Sequence, residues 1–229
     1  MIRKGIIVTR DGMRLLGGPG SGNFGHGGIP GQRGGSAPGG GYSSGNVLSN
    51  PNYHNENIDF STSEKAAISD YKGSAYAGVN KSLFGGDSND ARAEGIIKNL
   101  DSALDKTTIT GGKYYSGLGE TGAKMFADME VGEEFEYKGY ISTTTEPYQT
   151  GTFKGRIVID GKSVKSDVVI YAKHGTHAYS YGDDDEEKEV LFARSQNMRL
   201  IEVEEEERQS GDIFGTPGYT YRKYHVEII

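Results

Sequence analysis

Fourteen of the 29 residues from 17 to 45 are glycine and three are proline. A stretch of that composition has almost nothing to bury, and ordering it costs a large amount of backbone entropy. It is expected to behave as a flexible linker, so any hydrophobic core must be built from the rest of the chain. This divides the sequence into an N-terminal segment, 1–16, a Gly-rich linker, 17–57, and one folded domain, 58–229. Inside the linker, Gly20-Ser21-Gly22-Asn23-Phe24-Gly25 fits G-x-G-x-x-G. A dinucleotide-binding loop of that form needs a strand before it and a helix after it, and neither pattern flanks it.

Composition removes several function classes. The formal net charge of −7 argues against binding nucleic acid through a basic surface. There is no cysteine, which excludes disulfides, thiolate zinc sites and a Cys nucleophile. Histidines at 26, 54, 174, 177 and 225 form no ligand set, so no metal is expected. No stretch approaches the roughly 18 apolar residues of a membrane span. The first 16 residues offer only Gly5-Ile6-Ile7-Val8 as an apolar run, short of a secretory signal peptide.

Past residue 58 the pattern is first helical and then strand-like. Ser61 and Glu64 have capping-box spacing, and Ala66, Ala67, Ile68, Tyr71, Ala75, Tyr76, Val79 and Leu83 recur at helical intervals. Gly73 is unfavourable inside that helix. Further helices are expected over 90–104 and 121–129. Strands are expected over 134–143, 152–159, 167–173, 190–193, 198–203 and 219–229, separated by turn signals such as Asp160-Gly161 and Thr216-Pro217-Gly218. Helices followed by strands read as α+β rather than as alternating βαβ units.

Four short patterns could carry chemistry. The acidic run from Asp183 to Glu189 ends in Glu187-Lys188-Glu189 and turns at once into the apolar Val190-Leu191-Phe192. On a strand, Glu187 and Glu189 would face the same side, and paired carboxylates can divide an electrostatic and a proton-accepting role. Asp183, Asp184, Asp185 and Glu186 read as a solvated loop. Ser142-Thr143-Thr144 at a strand end could hold a carboxylate by hydrogen bonds, although β-branched residues are ordinary in strands. Tyr76 and Asn80 share a helix face, with Tyr71 about 140° around from Tyr76 at 3.6 residues per turn; core packing accounts for them equally well. Finally, Lys113-Tyr114-Tyr115-Ser116-Gly117 reads as a short strand entering a turn.

Taken in order, these four patterns resemble the mono-ADP-ribosyltransferases of the exoenzyme group, the Arg-Ser-Glu class related to the binary actin-modifying toxins. The resemblance covers residues 58–229. It implies N-terminal helices packed on a mixed or antiparallel β-sandwich with a central site for NAD, consumed as a substrate, and no metal. It places the catalytic carboxylate at Glu189, the acceptor-directed carboxylate at Glu187, and the hydroxyl that holds Glu189 at Ser142. A Glu at the first position goes with arginine as acceptor in that family. Contacts to NAD would come from Tyr71, Tyr76 and Asn80 on the helix, Tyr115, Ser116 and Gly117 on the first strand, Thr143 and Thr144 beside Ser142, and Phe153 and Arg156 beyond them. The sequence departs from the family where an Arg normally clamps NAD, since the aligned residue is Ser116. A Ser offers no charge and no guanidinium fork. On this alignment Ser116→Arg would restore a clamp, with Lys113, Lys124 or Arg156 standing in for it meanwhile.

The Gly-rich linker resembles segments of bacteriophage minor head proteins. Together the two resemblances imply a phage-encoded effector, carried in the virion or made in the bacterial host cytoplasm. Its partners would be a host protein acceptor and phage head or portal proteins, with no nucleic acid and no membrane. Two other readings stay open. One is an NAD glycohydrolase, in which water replaces the acceptor. The other is a non-catalytic interaction protein that reuses the fold.

Overall fold

The computed structural model describes residues 58–85, 91–153, 156–159, 161–182, 185–208 and 218–229; the expected linker and N-terminal segment lie outside them. Helix α1 spans Thr62–Asp70. Its N-cap is the capping box expected from sequence: Glu64 N–H donates to Ser61 Oγ at 3.2 Å, and Ser61 N–H donates to Glu64 Oε2 at 2.7 Å. Glu64 is also held by Lys106 and Ser102. The hydrogen bond from Lys106, then those from Ser102 and Ser61, lower its carboxyl to about 2. Helix α2 (Tyr76–Leu83) does not follow directly. Residues Tyr71–Ala75 form a π turn instead of a continuous α-helix. Gly73, the weakest helix former of the segment, lies at its centre. Helix α3 (Ala91–Leu104) packs on α1.

The rest is largely sheet: β1 (Gly112–Gly117), helix α4 (Glu120–Ala127), β2 (Glu134–Tyr137), β3 (Ile141–Thr144), a 3-10 segment (Pro147–Phe153), β4 (Arg156–Ile159), β5 (Lys162–Ala172), β6 (Ala178–Ser180), β7 (Glu189–Phe192), β8 (Gln196–Arg208) and β9 (Tyr219–Ile228). The strands form one sheet in the order β2-β8-β9-β5-β1-β3-β7-β6, with β4 paired to β5. Only the β5–β9 ladder is parallel among these pairings.

Chain connectivity shows that this sheet is bent. Strands β2 and β3 are five ladder steps apart, about 24 Å in a flat sheet. Only Lys138, Gly139 and Tyr140 join Tyr137 to Ile141, and four Cα steps span at most about 15 Å. The two wings therefore fold toward each other, and one core joins them. Tyr114, Ile141, Val168, Ile170, Val190, Phe192, Leu200, Tyr224 and Val226 all belong to it, with Phe126 of α4 stacked on Tyr224. A second core lies under the helices on the other face of β3 and β7, where Leu191 and Tyr140 meet Ile68, Tyr71, Val79 and Leu100. With both faces covered, β3 and β7 are buried at every position.

The single strand expected over 134–143 is two strands at distant positions in the sheet. They are separated at Gly139, where an added Cβ would come within 2.9 Å of both Asn80 Oδ1 and the Phe84 ring. Of the strand expected over 152–159, Thr152 and Phe153 belong to the 3-10 segment, and Arg156–Ile159 are strand. Strands β5 and β8 begin earlier than expected, and the short β6 has no sequence signal of its own. Among the described residues no helix is long and apolar enough to cross a membrane.

Candidate active site

Strand register assembles the site. Across the ladders Tyr115 pairs with Thr144, and Thr144 pairs with Glu189. Directly paired residues share a face, and so do residues two apart on one strand. One face thus carries Tyr115, Ser142, Thr144 and Glu189, and the helices cover it in part. Glu189 is buried, only 3% exposed. Ser142 Oγ donates a short hydrogen bond to Glu189 Oε1. Each buried hydroxyl of β3 finds a partner, as burial demands: Thr143 donates to the carbonyl of Val190 at 2.7 Å and Thr144 to the carbonyl of Glu187 at 2.7 Å.

Burial makes an ionised carboxylate costly. It raises Glu189 from the ordinary 4.5 to about 7, against the opposing pull of the Ser142 hydrogen bond and the Lys72 charge, and Glu187 adds to the rise. No sequence motif singles out Lys72. Its Nζ lies 3.4 Å from Glu189 Oε2, makes a short contact with Asp185, and sits 4.2 Å from the centre of the Tyr181 ring. Only its place beside Tyr71 and Gly73 could have drawn attention to it, because the π turn that presents it has no sequence signature.

Glu187 differs from its expected place. Strand β7 begins at Glu189, and Glu187 stands in the preceding turn. Lys188 has a positive φ of 49°, so the alternation that would put Glu187 and Glu189 on one strand face does not apply. The turn is nevertheless well held. Thr145 N–H donates to the Lys188 carbonyl at 3.3 Å, and Gln149 Nε2 donates to the Glu186 carbonyl at 2.9 Å. Asp185, read from sequence as part of a solvated loop, accepts from the Glu189 N–H at 2.8 Å and from Lys72. Its carboxylate therefore caps the start of β7.

The helix residues also sit differently. In a regular α-helix Tyr71 and Tyr76 point apart. The π turn, with its i→i+5 repeat, brings both to the buried side. Tyr71 and Asn80 do not open onto a free surface. Asn80 Nδ2 donates to Tyr71 Oη at 3.1 Å, Tyr140 N–H donates to Asn80 Oδ1 at 3.3 Å, and Tyr71 Oη donates to the Tyr140 carbonyl at 3.4 Å. Together they satisfy both backbone groups of the residue that leads into β3.

Ser116 is the largest departure. Tyr114 and Ser116 point into the core between the wings, Tyr114 edge-on to Phe192. Ser116 is fully buried and its Oγ donates to the Ser142 carbonyl at 2.9 Å. Its side chain does not reach the face that carries Glu189; Tyr115 does. Thr143 likewise points to the core side. The exchange Ser116→Arg is therefore expected to act in the opposite sense to a restored clamp. It would bury an unpaired guanidinium, at a cost of about 3–5 kcal/mol. A thermal melt should show a steep fall in Tm, whereas an unchanged Tm with a lower KM for NAD would return this position to the site. Of the cations weighed from sequence, Lys113 lies over the Tyr171 ring and Lys124 pairs with Glu120 on an exposed helix surface. Phe153 ends the 3-10 segment and Arg156 opens β4; their side chains lie outside what the structure describes. Gly117 closes β1, two residues beyond Tyr115 on the same face.

The sheet is bent and mixed, helices α1 to α3 pack over the face that carries Glu189, and Ser142 holds that buried carboxylate. The chain belongs to the ADP-ribosyltransferase exoenzyme family, whose model matches residues 46–215. Solved structures share the fold. The enzymatic component C2-I of the C2-toxin from Clostridium botulinum superposes with a TM-score of 0.54 at 16% identity, over 74% of this chain and 44% of that one. The present chain thus spans less than half of C2-I. Vis toxin, an ADP-ribosyltransferase from Vibrio splendidus, gives 0.51 at 22% identity over 74% of each chain. Exoenzyme S from Pseudomonas aeruginosa, in complex with human 14-3-3 protein beta and bound to carba-NAD, gives 0.51 at 21% identity over 72% of this chain and 74% of that one. No curated protein sequence matched.

Proposed function

We propose that this protein transfers ADP-ribose from NAD to an arginine side chain of a protein acceptor. The observation that carries the reading is Glu189, a buried carboxylate fixed by Ser142 at the mouth of a fully buried strand, in a chain of the ADP-ribosyltransferase exoenzyme family. In the reaction the bond between ribose C1′ and the nicotinamide nitrogen breaks, and its electron pair leaves with nicotinamide. The ribosyl group becomes an oxocarbenium-like cation. Ionised Glu189 accepts a hydrogen bond from a ribose hydroxyl and stabilises that charge, and a preorganised group acts most strongly away from water. A guanidinium nitrogen then bonds to C1′ as its proton passes to Glu187. The role of Glu187 in meeting an incoming side chain and orienting it by charge-assisted contacts is supported by its half-exposed position in a turn held by Thr144, Thr145 and Gln149.

The acceptor side of the reading is tested by Glu187→Gln. Transfer to an arginine acceptor is expected to fall by about a hundredfold, with nicotinamide release in the absence of acceptor lowered far less. An equal fall in both would remove the acceptor role from Glu187. The whole reading is tested by incubating the protein with labelled NAD and a bacterial lysate, then identifying the modified side chain by mass spectrometry. Label on arginine supports it, and label on another side chain redirects the acceptor class. The linker's likeness to minor head proteins supports a phage-encoded effector that acts on host proteins. Finding the protein in purified virions would bear that out.

A further inference from the structure

Glu189 is faced from several elements: Ser142 from β3, Tyr71 and Lys72 from the π turn, Tyr181 just past β6, and Asp185 and Glu187 from the turn before β7. Among these groups Lys72 brings the positive charge, and the others are acidic or neutral. Its contacts are also arranged as a clamp. One ammonium touches Asp185 and the Glu189 carboxylate, while the same Asp185 accepts from the Glu189 backbone N–H at 2.8 Å. Helix and strand start are therefore joined through both the side chain and the main chain of the one residue. Lys72 is about one-third exposed. Burial works against its charge, but the Asp185 hydrogen bond and the charges of Glu189 and Asp185 outweigh that effect and raise it above the ordinary lysine range. It stays charged at every pH at which Glu189 titrates. The π turn is what presents it here, and such interruptions are frequent at functional sites.

We propose that Lys72 is a positioning residue of this site, whose ammonium keeps Glu189 ionised and oriented while tying it to Asp185. The proposal rests on the transferase reading for its effect on turnover, but the ion pair itself can be tested separately. Without the cation, three carboxylates would share one partly buried corner, and Glu189 would hold its proton to higher pH. A neutral Glu189 cannot stabilise a developing ribosyl cation.

The test uses the full chain and its Lys72→Met and Lys72→Arg variants. Carboxyl carbons of 13C-labelled Glu are titrated by NMR, with Glu189→Gln assigning the resonance. Nicotinamide release is followed as kcat/KM from pH 5.5 to 9.5. In Lys72→Met the Glu189 midpoint is expected to rise by about one pH unit. Its kcat/KM should fall about tenfold at pH 6.5 and return to within about twofold of wild type at pH 9.5. Lys72→Arg should follow the wild-type profile, since the charge is kept. A midpoint unchanged in Lys72→Met, or an equal loss of kcat/KM at every pH, would overturn the proposal. If the wild-type chain releases no nicotinamide while the NMR midpoint still moves, the transferase reading fails and the coupling of Lys72 to Glu189 stands.

Discussion

Glu189→Gln is expected to lower NAD turnover by about a thousandfold, comparable to removal of a preorganised transition-state contact elsewhere, and at the same time to stabilise the fold. The two effects have one cause. The folded protein holds the Glu189 proton up to about pH 7, whereas an exposed carboxyl releases it near 4.5. Between those values the native state binds more protons than the unfolded chain, so this residue makes stability fall as pH rises. A displacement of that size corresponds to roughly 3 kcal/mol. Glutamine carries no charge to desolvate, and Lys72 keeps Asp185 as a partner. The variant should therefore gain about 2 kcal/mol at pH 8, a Tm higher by about 4–8 °C for a domain of this size, and almost nothing at pH 4.5. Calorimetry at the two pH values, beside a nicotinamide-release assay, measures both effects. A lower Tm at pH 8, or turnover that survives the change, would remove Glu189 from the centre of the site. A residue that lowers stability in its working form is what a site kept for chemistry looks like.

Asn80→Ala should have a large and purely structural effect. The Asn80 amide is the middle of a closed set of hydrogen bonds with the Tyr71 hydroxyl and the Tyr140 backbone, and Asn80 is buried. Alanine leaves the Tyr140 N–H without its partner at the three-residue link between the two wings of the sheet. An orphaned buried donor and the space left behind together cost about 3 kcal/mol. Tm should fall by about 6–12 °C, with turnover reduced in proportion to unfolding at the assay temperature. The family resemblance alone would make Asn80 a contact to NAD. That view expects a raised KM with Tm unchanged, so one melt and one saturation curve separate the two roles.

Much of the fold follows from local chemistry. The Ser61–Glu64 capping box, the helical spacing before Tyr71 and the start of β9 all depend on neighbours within a few residues, and such interactions can be read along the chain. The order of the Tyr, Ser-Thr-Thr and Glu-x-Glu patterns was enough to point to the family. What escaped the sequence depends on distant partners. Residues 134–143 have the composition of one strand but are divided between distant parts of the sheet, because Gly139 lets Asn80 and Phe84 approach the backbone there. Ser116 was read against the family's clamping Arg, while the β1–β3 register puts Tyr115, not Ser116, on the face with Glu189. Lys72 was invisible, since an ion pair across more than a hundred residues leaves no periodic trace.

The sequence by itself determined that a Gly-rich segment has little to bury, that the main helical patterns precede most of the strand patterns, and that the order of the Tyr, Ser-Thr-Thr and Glu-x-Glu motifs points to the family. These follow from composition, short-range spacing and order. The tertiary structure alone decided which faces those residues occupy. The bend of the sheet covers one face of β3 and β7 and the helices cover the other, and burial raises Glu189 to about 7. The π turn then carries Lys72 to its side. Charge state and orientation at this site depend on desolvation and on groups far apart in the chain, and both come into being only when the chain has folded.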